Sequence, residues 1–221
     1  MSSATEFRFA ETISSIDPNI DGELVKRTAT DLQERYSEPQ RHYHTLEHIG
    51  FMLDAFTKCD TTNVPRDIIE LAIWFHDCVY DPVRGGPWNE QESIRVWEQF
   101  AEATCSQAML NLKEPVSCLI DATISHHIPA VLAPPLEVSH AATFLDLDMG
   151  ILAASPTVYE TYANGIRHEY AHYSDTDYRA GRTKVLQNFL ARERIFLAEG
   201  SEALEASARG NIESEIRRLQ G

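Results

Sequence analysis

Between Ile68 and Tyr80 the chain reads IIELAIWFHDCVY, an apolar run that ends in an adjacent histidine and aspartate. The run follows Pro65, a residue suited to the first turn of a helix. It is apolar almost all round, which marks a helix buried in the middle of a bundle. The expectation is one helix that starts after Pro65 and continues through Tyr80, carrying His76 and Asp77 inside it. Burying an ionised carboxylate costs several kcal/mol unless another charge or a metal compensates it. Whatever fold the chain adopts must therefore bring a partner to this dyad. A plain His–Asp hydrogen bond that pins two helices would also meet that demand.

The remaining sequence supplies helices for such a bundle. Leu24, Val25, Leu32 and Tyr36 form a stripe over Asp21 to Tyr36, stopped by Pro39. Leu46, Ile49, Leu53 and Phe56 form another over about 45–56. DPVRGGPWNE, with two glycines and two prolines, reads as a loop after the dyad. Further helices are expected over 90–103, 115–127, 140–153, 156–172 and 177–198. Segment 201–219 has sparse apolar residues (Leu204, Ile212, Ile216 and Leu219) and reads as an exposed terminal helix. No window shows the β-branched alternation of strands. The fold class is all-α, expected as one helical domain over residues 1–221 with its core over about 20–198.

Charge narrows the partners. Nineteen Lys and Arg against 34 Asp and Glu give a formal charge of −15, which argues against a broad basic face for nucleic acid or anionic lipid. A small anionic substrate remains compatible, because a bound divalent metal dominates the local field. Cys59, Cys78, Cys105 and Cys118 form no C-x-x-C pair, which excludes the usual zinc-ribbon and redox-dithiol patterns. The first residues lack a basic and an apolar signal region, and no apolar run reaches the roughly 18 residues of a membrane span. A reduced, cytoplasmic protein is the expectation.

Two further positions give the dyad its partners. In ATFLDLDMGILA the residues three and four away from Asp148 are Phe144, Leu145, Ile151 and Leu152, so on a helix Asp148 points into the core. Asp146 lies about 200° away and is assigned a capping or supporting role instead. In RHYHTLEHIGFML, His44 and His48 stand at the i, i+4 spacing that lets two imidazoles face one site, with His42 off that row. Mixed imidazole and carboxylate ligands suit a divalent Mn, Fe, Co or Ni ion, with Zn or Mg also compatible. They do not suit a closed thiolate site.

The order His48, His76-Asp77, Asp148 resembles the H…HD…D signature of the HD superfamily of metal-dependent phosphohydrolases. RHYHTLEHI, AIWFHDCVYD, Asn89-Glu90 followed by Ser93, T-I-S-H at 123–126, FLDLDMGIL and YRAGR…FLARERIF together resemble a small subgroup of predicted HD phosphohydrolases, over roughly residues 35–198. The resemblance implies an HD-type helical bundle whose metal ligands are His48, His76, Asp77 and Asp148. It implies a cation that lowers the pKa of bound water and stabilises phosphoryl charge, and a small phosphorylated substrate, with nucleotides the first class to test. Asp77 would also orient or deprotonate the water, and His44 joins it as a candidate catalytic group. His126 or His127 would contact the phosphate or a second metal. The T-x-x-H spacing favours His126, whereas helix phase with Val116, Ile120 and Thr123 favours His127. Asn89 and Glu90 fit either the pocket rim or a helix cap. Arg167, Arg182 and Lys184 fit either phosphate binding or a solvated face.

Two other readings compete. His168-Glu169-Tyr170-Ala171-His172 is a literal H-E-x-x-H, the helical ligand pair and general base of zinc proteases, with Glu193 a candidate third ligand. Its flanks are polar, and the strand that such a protease aligns with its peptide is missing from the pattern. Replacing Glu169 should abolish activity on that reading and do little on the HD reading. The second alternative is a non-catalytic HD-like module that binds a nucleotide or metal.

Overall fold

In a computed structural model of the protein, residues 2–59 and 64–221 are described, with side chains from Phe7 onward. The described residues form helices α1 (Ser2–Ile16), α2 (Gly22–Tyr36), α3 (Leu46–Phe56), α4 (Arg66–Phe75), α5 (Trp88–Ala103), α6 (Gln107–Ala122), α7 (Val138–Asp148), α8 (Pro156–Glu169), α9 (Asp175–Leu190) and α10 (Glu202–Gln220). A 3-10 segment, Met149–Ala153, continues α7. There is no strand among the described residues, so the fold is all-α. No helix among them is long and apolar enough to cross a membrane.

The apolar run forms the central helix, as its composition requires. Ile68, Ile69, Leu71, Ala72, Ile73, Trp74 and Phe75 of α4 are all buried, and the helix touches α1, α3, α5, α6 and α7. It stops at Phe75, however, five residues before the expected end. His76 keeps α-helical dihedrals as the C-cap, and the chain then turns, with the Cys78 N–H bonded to the Phe75 carbonyl. The last carbonyls of a helix have no partner inside it. Here the Tyr36 hydroxyl donates to the Trp74 carbonyl at 3.0 Å, and in the turn just beyond the helix the Arg41 guanidinium donates to the carbonyls of Asp77 at 2.8 Å and Cys78 at 3.2 Å. His76 and Asp77 thus sit at the mouth of the central helix rather than within it.

Other departures from the sequence reading have local causes. α1 lies outside every expected element, yet Phe9 and Ile13, one turn apart, are fully buried, and Phe9 meets Trp74 edge-on at 5.4 Å. α6 begins at its Ser106 cap and carries Pro115 within it rather than at its start. The expected helix over 140–153 tightens into the 3-10 segment directly after Asp148.

A second apolar cluster joins Met149, Leu152, Tyr159, Leu186, Ile195, Phe196, Ala208 and Ile212. It corrects the expectation for the C-terminal segment: α10 packs on the 3-10 segment, α8 and α9. Its Ala208, Asn211, Ile212 and Glu215 are buried, and the Asn211 amide donates to the Leu152 and Ala154 carbonyls. Truncating a fully buried isoleucine costs about 2–5 kcal/mol, whereas a surface change costs less than about 0.5 kcal/mol. Ile212→Ala should therefore lower stability by about 2–4 kcal/mol in urea unfolding, and a change within 0.5 kcal/mol would contradict this packing.

Candidate metal centre

Three segments converge at the mouth of α4. α3 brings His48, the end of α4 brings His76 and Asp77, and the last residue of α7 is Asp148. One nitrogen each of His48 and His76 and one Asp148 oxygen lie within 4.8 Å of one another, an arrangement that could hold a metal ion. The two Nε2 atoms are 3.3 Å apart. Asp148 Oδ1 stands 3.2 Å from His48 Nε2 and 3.6 Å from His76 Nε2. Asp77 Oδ2 flanks the same pair, 3.1 Å from His76 Nε2 and 4.0 Å from His48 Nε2. The imidazoles are almost wholly buried, while the Asp77 and Asp148 side chains keep 17% and 13% of their exposure and so form the open side.

The far nitrogens are held as ligand rings require. His76 Nδ1 lies 3.0 Å from the Ile73 carbonyl, which can only accept, so in the neutral ring Nε2 presents its lone pair to the centre. His48 Nδ1 lies 3.1 Å from the Tyr43 hydroxyl. With Asp148 and Asp77 beside them, the two Nε2 atoms face a common point that could hold a metal ion. The donor set of two imidazoles with carboxylates therefore fits a divalent metal.

The electrostatics agree. Burial opposes charge on His76, but Asp77 and Asp148 hold its pKa well above the ordinary imidazole range. For His48 burial prevails and lowers the pKa. Both carboxylates are kept low against the effect of burial, Asp77 by His76 and His44, and Asp148 by hydrogen bonds from His126, His48 and His76.

His126 lies on the open side. Its Nε2 is 2.9 Å from Asp148 Oδ2, while exposed His127 turns back to the Ser125 carbonyl. His126 adopts φ +50°, the left-handed region that non-glycine residues rarely enter. The strained turn is held by Arg192, whose guanidinium donates to the Ser125 and His126 carbonyls at 2.9 Å each. His44 stacks on Tyr80 at 4.3 Å, with Nδ1 2.7 Å from Glu169.

The H-E-x-x-H string does not assemble a site. α8 ends at Glu169, so His172 falls beyond the helix; His168, His172 and Glu193 are exposed, and His168 packs edge-on against His42. Glu169 instead turns inward as a clamp. Its Oε1 accepts the backbone N–H groups of His42, Tyr43 and His44 at 2.7–3.0 Å, and its Oε2 accepts from the Tyr80 hydroxyl and pairs with His44. Glu169 thus fixes the segment that leads into α3 and His48.

Other candidates are engaged elsewhere. Asp146 accepts the Leu197 and Ala198 N–H groups at 2.7 and 2.9 Å. Arg182 pairs with Glu215 and reaches Tyr162, Arg167 pairs with Asp175, and Lys184 is exposed. Asn89 exchanges two hydrogen bonds with the Asp81 backbone instead of capping α5. Arg41, Glu169 and Arg192 are the functional supports that sequence reasoning missed. Arg41 and Glu169 stand inside the strings RHYHTLEHI and HEYAH, but their partners are remote or backbone atoms.

The clamp makes stability depend on pH. Burial opposes ionisation of Glu169, yet His44 and the backbone N–H groups bring its pKa down from 4.5 to about 2. A carboxylate lowered on folding stabilises the fold above its unfolded pKa and loses that contribution as pH falls through the folded one. The shift corresponds to an upper figure of about 3 kcal/mol. Between pH 5 and pH 2 the wild type should lose stability more steeply than Glu169→Gln, and parallel stability–pH curves from denaturant unfolding would contradict the clamp. No family model, no curated protein and no solved structure matches this chain, so the reading of the centre rests on its own geometry.

Proposed function

We propose that this chain is a metal-dependent phosphohydrolase that cleaves a phosphate ester or anhydride of a small metabolite. The observation that carries the reading is the convergence of His48, His76 and Asp148, with Asp77 beside them, at a partly open site. The sequence order of these residues resembles the HD superfamily, which gives the metal site its reaction class. His48, His76, Asp77 and Asp148 would hold the ion. A divalent cation there supplies Lewis acidity toward a phosphoryl oxygen and a nucleophilic water at neutral pH.

The chain's own groups account for the rest. Asp77, on the open side, would orient the attacking water. His126 reaches the centre from the Asp148 side, where its Nε2–H donates to Asp148 Oδ2 and would hold that carboxylate toward the ion and a bound phosphate. His44 has a raised pKa: burial opposes its charge, while Asp77 and Glu169 sustain it. A positive ring there would favour an anionic substrate. A cavity of about 270 Å³ beside His48, walled by Tyr43, Phe51, Ile151, Val158 and Tyr162, offers apolar and aromatic surface to the organic part of a substrate such as a nucleotide base.

The test is phosphate release from nucleotides and p-nitrophenyl phosphate with Mn, Co, Ni or Mg. The expected result is many phosphates released per chain, abolished by EDTA, with kcat at least about 100-fold lower in Asp148→Asn. Ligand binding that saturates at one equivalent without phosphate release would contradict the assignment and indicate a binding module.

A further inference from the structure

The first turns of α5 are docked on the segment that follows the His76-Asp77 dyad. Ser93 Oγ accepts the Val79 N–H at 3.1 Å, Asn89 Oδ1 accepts the Asp81 N–H at 2.9 Å, and the Cys78 thiol reaches the Ser93 carbonyl. Glu90 follows Asn89 and stands one turn before Ser93, so it rides on this docked flank. Its carboxyl packs against Gly86, where an added Cβ would come within 3.0 Å of Oε2 and 3.2 Å of Oε1. Glycine at 86 leaves room for the carboxyl.

Glu90 Oε2 is buried and meets no hydrogen-bond donor. Leaving such an acceptor unsatisfied costs about 1–3 kcal/mol, more if it is charged. Burial raises the Glu90 pKa, opposed by a hydrogen bond to the carboxyl from its own backbone N–H; the charge of Asp77 adds to the rise, and His126 and His76 act the other way. Val79 and Asp81, on which this flank is docked, follow Asp77 by two and four residues, so the flank that carries the unpaired oxygen is tied to the segment leading out of the metal centre. An acceptor without a partner on that flank is suited to a donor that arrives with the reaction, and burial of the carboxyl favours its taking up a proton.

We propose that Glu90 is a further catalytic residue, whose Oε2 accepts a hydrogen bond and then a proton from the water that attacks phosphorus. This inference rests on the phosphohydrolase reading. As the water oxygen forms its bond to phosphorus, one water proton passes to Glu90. The bond from phosphorus to the leaving oxygen breaks with its electron pair on that oxygen, and the proton held by Glu90 neutralises it, directly or through solvent. The products are phosphate and the alcohol or shorter phosphate, with no redox change.

The test compares cation content, steady-state kinetics and rate–pH profiles of the wild type, Glu90→Gln and Glu90→Asp, using p-nitrophenyl phosphate and the cation that gives the wild type its highest rate. Glu90→Gln keeps the side-chain shape but loses the basic oxygen. Its expected kcat is at least about 100-fold lower, with KM and cation affinity within about threefold and the acidic limb of the wild-type profile gone. Glu90→Asp retains a withdrawn carboxylate and should keep a few per cent of wild-type kcat together with that limb; it serves as the second variant if the glutamine protein does not fold. Full kcat in Glu90→Gln would overturn the inference, as would loss of cation in proportion to activity, which marks a ligand rather than a base. A wild type that binds the cation but releases no phosphate would sink the phosphohydrolase reading and this inference with it, a failure distinct from an active wild type with an equally active glutamine variant.

Discussion

Two carboxylates and two imidazoles brought together at the end of a buried helix set the terms for the rest of the structure. Removing an ion from water costs several kcal/mol even after the protein relaxes, and Asp77 and Asp148 are each largely removed. The cost is offset only if positive charge or a metal stands between them and if every remaining polar atom is occupied. The structure meets the second condition on both sides of the centre: Ile73 and Tyr43 hold the outer nitrogens of His76 and His48, and His126 bonds the second oxygen of Asp148.

The supports of this cluster are themselves charged, Arg41 and Glu169 buried and Arg192 partly exposed, and each ties down chain beside the centre. Arg41 donates to the carbonyls of His44, Asp77 and Cys78, tying the segment before α3 to the end of α4. Glu169 collects three successive N–H groups of that same segment from the end of α8. Arg192 fixes the strained turn at His126 from beyond α9. The second apolar cluster therefore serves the centre: packing of α10 on α8 and α9 holds the helices from which Glu169 and Arg192 reach across. The whole arrangement places a cluster that could hold a metal ion at a helix end, with Asp77 and Asp148 on its partly open side.

What could be read from the sequence follows the range of the forces involved. The burial of α4 and the inward phase of Asp148 are set by residues within one or two turns, so periodicity reveals them. The end of α4 is not local: the run IIELAIWFHDCVY has no stop signal before Tyr80, and the helix breaks where Tyr36 takes the Trp74 carbonyl and Arg41 takes those of Asp77 and Cys78 just beyond it, each more than thirty positions away. The choice between His126 and His127 was equally closed to periodicity, because the helix ends at Ala122 and a left-handed residue redirects the ring. α1 was missed although Phe9, Thr12 and Ile13 carry a helical stripe. The H-E-x-x-H string misleads because two residues of a motif can be structural when the helix that should align them ends between its histidines.

The central claim is that a divalent cation is held by the residues at the mouth of α4. Elemental analysis of purified wild type, His76→Ala and His168→Ala, each confirmed as folded by circular dichroism, tests it most directly. Wild type and His168→Ala should carry equal amounts of one divalent metal and His76→Ala should have lost it; metal retained in His76→Ala and lost in His168→Ala would contradict the account.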